Sequence, residues 1–220
     1  MAIKKSAFVI LLAAALLFLS LGMATALSQN WYMLGLSLDT PKGANYLMQK
    51  GSGFSGAYQQ FGPGESRIWG ADEPVSVNQI DMAGPWDVHL YIYVYSTKDV
   101  SVKVELGKLT SGDGTFSLAE GEEQDIGGYT HNRWWNSTNI HPDSFPINCG
   151  ESLAVRVTNN GAYDLYVDTS GVPNSRSYIA SPASDPGYPV PELPTIVLTS
   201  MGVLLLAGFA VYRRRRRNIK

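Results

Sequence analysis

From Trp86 to Tyr95 the chain alternates without a break: Trp86, Val88, Leu90, Ile92 and Val94 take turns with Asp87, His89, Tyr91, Tyr93 and Tyr95. A period of two places each set on its own side of an extended strand, whereas a helix would scramble them. One side is core and the other carries tyrosine. After Ser96-Thr97-Lys98-Asp99 the alternation resumes in Val100, Val102, Val104 and Leu106, which predicts an antiparallel hairpin. Leu153, Val155 and Val157 lead into Asn159-Asn160-Gly161, and Tyr163, Leu165 and Val167 return. That pattern predicts a second hairpin, closed by a tight turn with positive φ at Asn160-Gly161. Shorter strands are expected at Trp31–Leu38, Ser66–Trp69, Val75–Ile80, Thr115–Leu118 and Gln124–Ile126, each bounded by Gly, Pro, Asn or Asp. The segment from Gly43 to Gly64, rich in glycine, reads as loop or an irregular edge strand. With no amphipathic helix of useful length, the expected fold is mainly β. It is a single antiparallel β-sandwich of jelly-roll type over residues 27–180.

The two ends are built differently. Lys4 and Lys5 precede an apolar run from Ala7 to Leu21, and Ala24-Thr25-Ala26 offers small residues at both positions a signal peptidase reads. Residues 1–26 are therefore expected to be a signal peptide, helical in its apolar part and cleaved after Ala26. At the other end, residues 195–212 are expected to form a transmembrane helix. Its uncharged core from Ile196 to Tyr212 spans roughly 25 Å as a helix, slightly short of a bilayer interior. Arg213, Arg214, Arg215, Arg216 and Arg217 resist translocation, so residues 213–220 read as a basic cytoplasmic tail and everything before the helix lies outside. Between domain and helix, residues 181–194 carry Pro182, Pro186, Pro189, Pro191 and Pro194, the composition of a semi-rigid extended stalk.

The exported part, about 160 residues, is long enough for one domain with its own core. Its charge is hidden in the whole-chain value of −2: between Leu27 and Val190 nine basic residues face eighteen carboxylates, a net charge of about −9. An acidic surface of this size disfavours nucleic acid and anionic lipid as partners. Cys149 is the one cysteine, so no internal disulfide supports the domain, an economy that suits a prokaryotic surface.

Pro191, Glu192, Leu193, Pro194 and Thr195, followed by the apolar helix and the arginine cluster, resemble the PEF-CTERM sorting signal of archaeal surface proteins, a relative of the bacterial PEP-CTERM signal. The likeness covers about the last thirty residues, and Leu193 stands where that family usually has Phe. It implies an archaeosortase-type transpeptidase as partner, cutting near the motif and passing the domain to a lipid-like anchor, so that the helix is absent from the finished protein. More loosely, Trp69 and the Gly-Pro-Trp-Asp-Val strand entry at Gly84 to Val88 are similar to a widespread prokaryotic surface β-sandwich, which supports the fold and implies no chemistry.

Catalytic patterns are missing. His89, His131 and His141 show no zinc spacing, Asp113 between two glycines is the signature of a turn, and no Gly-x-Ser-x-Gly elbow occurs. Cys149 with His141 lacks a flanking nucleophile motif and reads as a partly buried inert thiol. Asp72-Glu73 and Glu122-Glu123 are sequence neighbours, not a positioned acid and nucleophile. No catalytic residue, metal ligand or cofactor is assigned, and no enzyme activity is expected. Contact with a glycan or a surface-layer partner is suggested instead by Tyr91, Tyr93 and Tyr95, and by Trp134 and Trp135 in what reads as a polar loop. Asn136-Ser137-Thr138 is an acceptor triplet that makes Asn136 a candidate for N-glycosylation. The expected role is that of an anchored cell-surface protein, structural or binding, with a carbohydrate-binding module as the alternative and an extracellular hydrolase behind both.

Overall fold

The computed structural model describes residues 28–37, 40–50, 58–94, 100–126, 133–170, 176–183 and 185, all within a compact unit running from Ala26 to Val190. The signal peptide with Ala24 and Ala26, the sorting motif from Pro191 to Thr195, the helix at 195–212, Arg213 to Arg217, Tyr95 and most of the stalk lie outside the described residues.

All regular structure among the described residues is strand. In chain order these are β1 (Asn30–Met33), β2 (Tyr46–Lys50), β3 (Tyr58–Phe61), β4 (Ser66–Ala71), β5 (Gln79–Asp81), β6 (Trp86–Val94), β7 (Val100–Leu109), β8 (Phe116–Ile126), β9 (Arg133–Ile140), β10 (Pro146–Asn148), β11 (Ser152–Asn159), β12 (Leu165–Asp168) and β13 (Tyr178–Ala180). Eleven form one sheet in the order β3-β12-β6-β13-β1-β2-β4-β11-β7-β8, with β9 on the other edge of β6, while β5 and β10 pair separately. The chain is mainly β, as its alternation dictates. The sheet is mixed, however, because β2 and β4 run parallel, which corrects an antiparallel order throughout.

The alternation sets which side chains are buried. Val88, Leu90 and Ile92 of β6, Val102, Val104 and Leu106 of β7, and Val155 and Val157 of β11 belong to one hydrophobic cluster with Trp31, Trp69, Trp86 and Trp135, all nearly free of solvent. Strands far apart in sheet order therefore share one core. The Nε1–H of Trp86 is satisfied by the Met82 carbonyl at 3.1 Å and that of Trp69 by the Leu34 carbonyl at 3.1 Å, so two large rings are buried without stranding a donor.

Neither predicted hairpin forms. β6 pairs with β9, β12 and β13, whereas β7 pairs with β8 and β11. β11 likewise lies between β4 and β7, and β12 between β3 and β6. A period of two specifies which face of a strand is buried but not which strand lies beside it, so two consecutive runs satisfy it equally from separate parts of a folded sheet. The Asn159-Asn160-Gly161 corner does this without positive φ at Gly161. Buried Asn159 donates through Nδ2 to the carbonyls of Phe61 at 3.1 Å and Tyr163 at 2.7 Å, and its Oδ1 accepts the Gly161 N–H at 3.0 Å. Glycine is required there by crowding: a Cβ at position 161 would stand 2.5 Å from Val100 Cγ1.

The sheet is closed laterally by a polar seam. In register, Glu120 and Glu122 of β8 lie opposite Leu106 and Val104, and thus point to the core side of an edge strand. They are received by β9 and the residue that follows it: Glu122 accepts from the Ser137 hydroxyl and from Asn139 Nδ2 at 3.0 Å, and Glu120 accepts the His141 backbone N–H at 2.6 Å. Inward charges of this kind discourage further strand pairing at an edge.

Candidate functional site: an aromatic face

The outward residues of β6 are the seed. Asp87, His89, Tyr91 and Tyr93 point away from the core, and register sets aromatic neighbours beside three of them: Tyr178 and Asn136 flank His89, Trp134 faces Tyr91, and Tyr166 faces Tyr93. Tyr32 of β1 continues the row beyond Tyr178. The rings touch in sequence. Tyr32 and Tyr178 centroids lie 5.7 Å apart, His89 stacks on Tyr178 at 4.6 Å with planes 24° apart, and Trp134 meets Tyr91 at 4.8 Å and His89 edge-on at 6.4 Å. Tyr93 and Tyr166 pair at 5.8 Å, and the Arg176 guanidinium lies 5.6 Å from the Tyr32 centroid. This is a contiguous aromatic face crossing β1, β13, β6 and β9.

Its members differ in what they can offer a ligand. His89 and Tyr178 use their ring faces on each other, but Trp134 keeps 40% of its surface in solvent and is the largest exposed ring among the described residues. Polar groups stand among the rings. Asn136 is exposed, and its Oδ1 lies 2.8 Å from His89 Nδ1. Burial pushes the Tyr178 phenol above its ordinary value, with Tyr32 and Asp87 adding to the shift, so it remains a neutral hydroxyl. The Tyr91 backbone N–H donates to buried Ser177 Oγ at 3.0 Å, fixing β6 against the segment that enters β13.

Of the residues expected to contact a ligand, Tyr91, Tyr93 and Trp134 are brought together here. Trp135 is not: it is 1% exposed and packs in the core, because adjacent residues of a strand face opposite ways. The loop expected around these tryptophans is instead strand β9. Sequence reasoning also missed Tyr32, Tyr166 and Tyr178, whose strands carry too few alternating residues to announce themselves.

The other chemical candidates are separated by the fold. Cys149 is exposed, not partly buried, because it lies in the turn after β10 where its N–H donates to the Asn78 carbonyl at 3.0 Å. His141 is occupied with the Thr138 carbonyl. Asp113 serves its turn: hydrogen bonds from Thr110 and Thr115 hold its carboxyl down at about 2. Glu122 turns to the seam, while Glu123 turns outward to Ser101 Oγ at 2.7 Å and Asn160 Nδ2 at 2.9 Å. A cleft of about 220 Å³ between Pro41, Asp72 and Thr110 is lined by a single carboxylate, Asp72, whose pKa is raised by burial and then by Glu73. Among the described residues no group of three or more potential metal ligands occurs.

No family model and no curated protein matches the chain. Among solved structures it is similar to an α-amino acid ester hydrolase at 11% identity and to an aminopeptidase from a marine sediment Thaumarchaeota archaeon at 8%. Each match has a TM-score of 0.50 and covers 70% of this chain but 36% of the other. A CBM36-1 domain of a multidomain xylanase from the hindgut metagenome of Trinervitermes trinervoides matches with 10% identity and a TM-score of 0.34, over 70% of this chain and 96% of that one. The chain spans about a third of the two hydrolases, and identities this low speak for a shared β architecture alone.

Proposed function

We propose that this chain is a non-catalytic binding module of jelly-roll-like sandwich form that takes neutral carbohydrate on its aromatic face. The observation that carries the proposal is the unbroken run of rings from Tyr32 through Tyr178 and His89 to Trp134 and Tyr91. A pyranose offers an apolar C–H face and a rim of hydroxyls; an indole matches the first, and Asn136 with the phenol tips matches the second. The net charge of about −9 between Leu27 and Val190 favours neutral over anionic glycans. Export through residues 1–26 and attachment through Pro191 to Thr195 by an archaeosortase-type enzyme belong to the same proposal and rest on the sequence. The module would then stand outside the membrane on its proline-rich stalk. Binding of the unglycosylated protein to a glycan array, lost on Trp134→Ala, tests the function. An exposed anchoring tryptophan contributes about 2 kcal/mol, or roughly thirtyfold in affinity. Retained binding in Trp134→Ala and Tyr91→Ala would place the ligand elsewhere.

A further inference from the structure

The acceptor triplet Asn136-Ser137-Thr138 lies inside the aromatic face. On β9, Trp134, Asn136 and Thr138 are successive outward residues, all exposed, while Ser137 turns inward to Glu122. Residues two apart on a strand are roughly 7 Å apart on one face, about the width of one sugar ring. Asn136 Oδ1 is engaged by His89 Nδ1 at 2.8 Å, which leaves Nδ2 without a hydrogen-bond partner among the described residues. Nδ2 is the atom that glycosylation uses.

The geometry points to Asn136 as a glycosylation site that governs access to this face, an inference that rests on the carbohydrate reading of the aromatic residues. Nδ2 attacks the anomeric carbon of a lipid-phosphate-linked oligosaccharide. A C–N bond replaces the C–O bond to phosphate, the lipid phosphate leaves with the electron pair, and the amide gives up one proton to the solvent. The attached sugar then overlies Trp134 and the His89–Tyr178 stack. The chain's own glycan occupies the surface that an external one would need, so the unmodified form binds and the modified form is closed.

The test uses the full chain purified from the cells that make it, beside Thr138→Ala, which destroys the triplet but keeps Asn136, and Thr138→Ser, which preserves it. Peptide mass spectrometry reads occupancy at Asn136. Iodide quenching reads shielding, because of the five tryptophans Trp31, Trp69, Trp86 and Trp135 are buried and Trp134 alone is open to the ion. Titration with cellohexaose, xylohexaose and chitohexaose reads access. The expected result is an occupied Asn136 with quenching and sugar binding suppressed in wild type and Thr138→Ser, and both restored in Thr138→Ala. An unmodified Asn136, or quenching equal in modified protein and Thr138→Ala, overturns the inference. So does measurable sugar binding of equal affinity in those two forms. If neither form binds any of the sugars while quenching still differs, the carbohydrate reading fails and the shielding by the Asn136 glycan stands.

Discussion

Arg156 and Glu105 face each other across β11 and β7, and removing one should cost more than removing the other. Glu105 is 3% exposed, with Arg156 Nε 2.6 Å from Oε2 and Lys103 Nζ 3.0 Å from Oε1. The Arg156 guanidinium also lies 4.4 Å from the centroid of Phe116. Arg156→Met leaves a buried carboxylate with only a half-exposed lysine for company. The loss of one charge-assisted hydrogen bond, about 1.5–3 kcal/mol, adds to a cation–π contact of about 0.5–1 kcal/mol, so roughly 2–4 kcal/mol is expected. Glu105→Gln keeps an acceptor for Arg156 and frees two cations that reach water, and should cost about 1–2 kcal/mol. Burial works against ionised Glu105, but hydrogen bonds and charges from Arg156 and Lys103 outweigh it and hold its pKa below the usual 4.5. A depressed carboxylate pKa stabilises the fold above the unfolded value, and that contribution is lost as pH falls through the folded value. Urea denaturation at neutral pH and in acid should therefore show the Arg156→Met penalty shrinking in acid, where Glu105 is protonated in both proteins. A penalty of the same size at both pH values would refute the electrostatic account and leave only lost packing.

Two further outcomes follow from the fold. Trp135→Ala should destabilise by about 3–5 kcal/mol by opening the core, while Trp134→Ala, which removes cross-strand ring contacts with Tyr91 and His89, should cost about 1 kcal/mol, and a pair of thermal melts separates them. Burial opposes ionisation of Glu122, yet hydrogen bonds from Ser137, Asn139 and Gln124 hold its pKa below 4.5. Glu122→Gln should cost about 1 kcal/mol at neutral pH, and the gap to wild type should close as pH falls through the depressed value, read as converging melting temperatures.

Strand existence was legible where alternation was long. Trp86 to Tyr95 and Leu153 to Val157 announced β6 and β11 and named their buried residues correctly. Pairing was not legible, because nothing in a period of two says which strand lies alongside. β9 was hidden for a different reason: opposite Trp86 and Val88 its register shifts, pairing Ile140 and Ser137 across an irregularity. Its buried residues therefore fall at Trp135, Ser137 and Ile140, which breaks the period of two. β8 carries a similar shift, with Leu106 opposite Glu120 but Gly107 opposite Leu118. Its inward glutamates also imitate a polar loop, so one strand read as two fragments. The aromatic face was half legible. Tyr91, Tyr93 and Trp134 stood out locally, but Tyr32, Tyr166 and Tyr178 join them only through cross-strand register that no local pattern encodes.

Indole N–H resonances offer the most direct test of the binding claim. The chain has five tryptophans and should give five such signals, of which Trp134 belongs to the aromatic face and the others to the core. Titrating unglycosylated protein with the best array ligand should move the Trp134 signal and leave those of Trp31, Trp69, Trp86 and Trp135 in place. A ligand that binds while the Trp134 signal stays still would contradict the account.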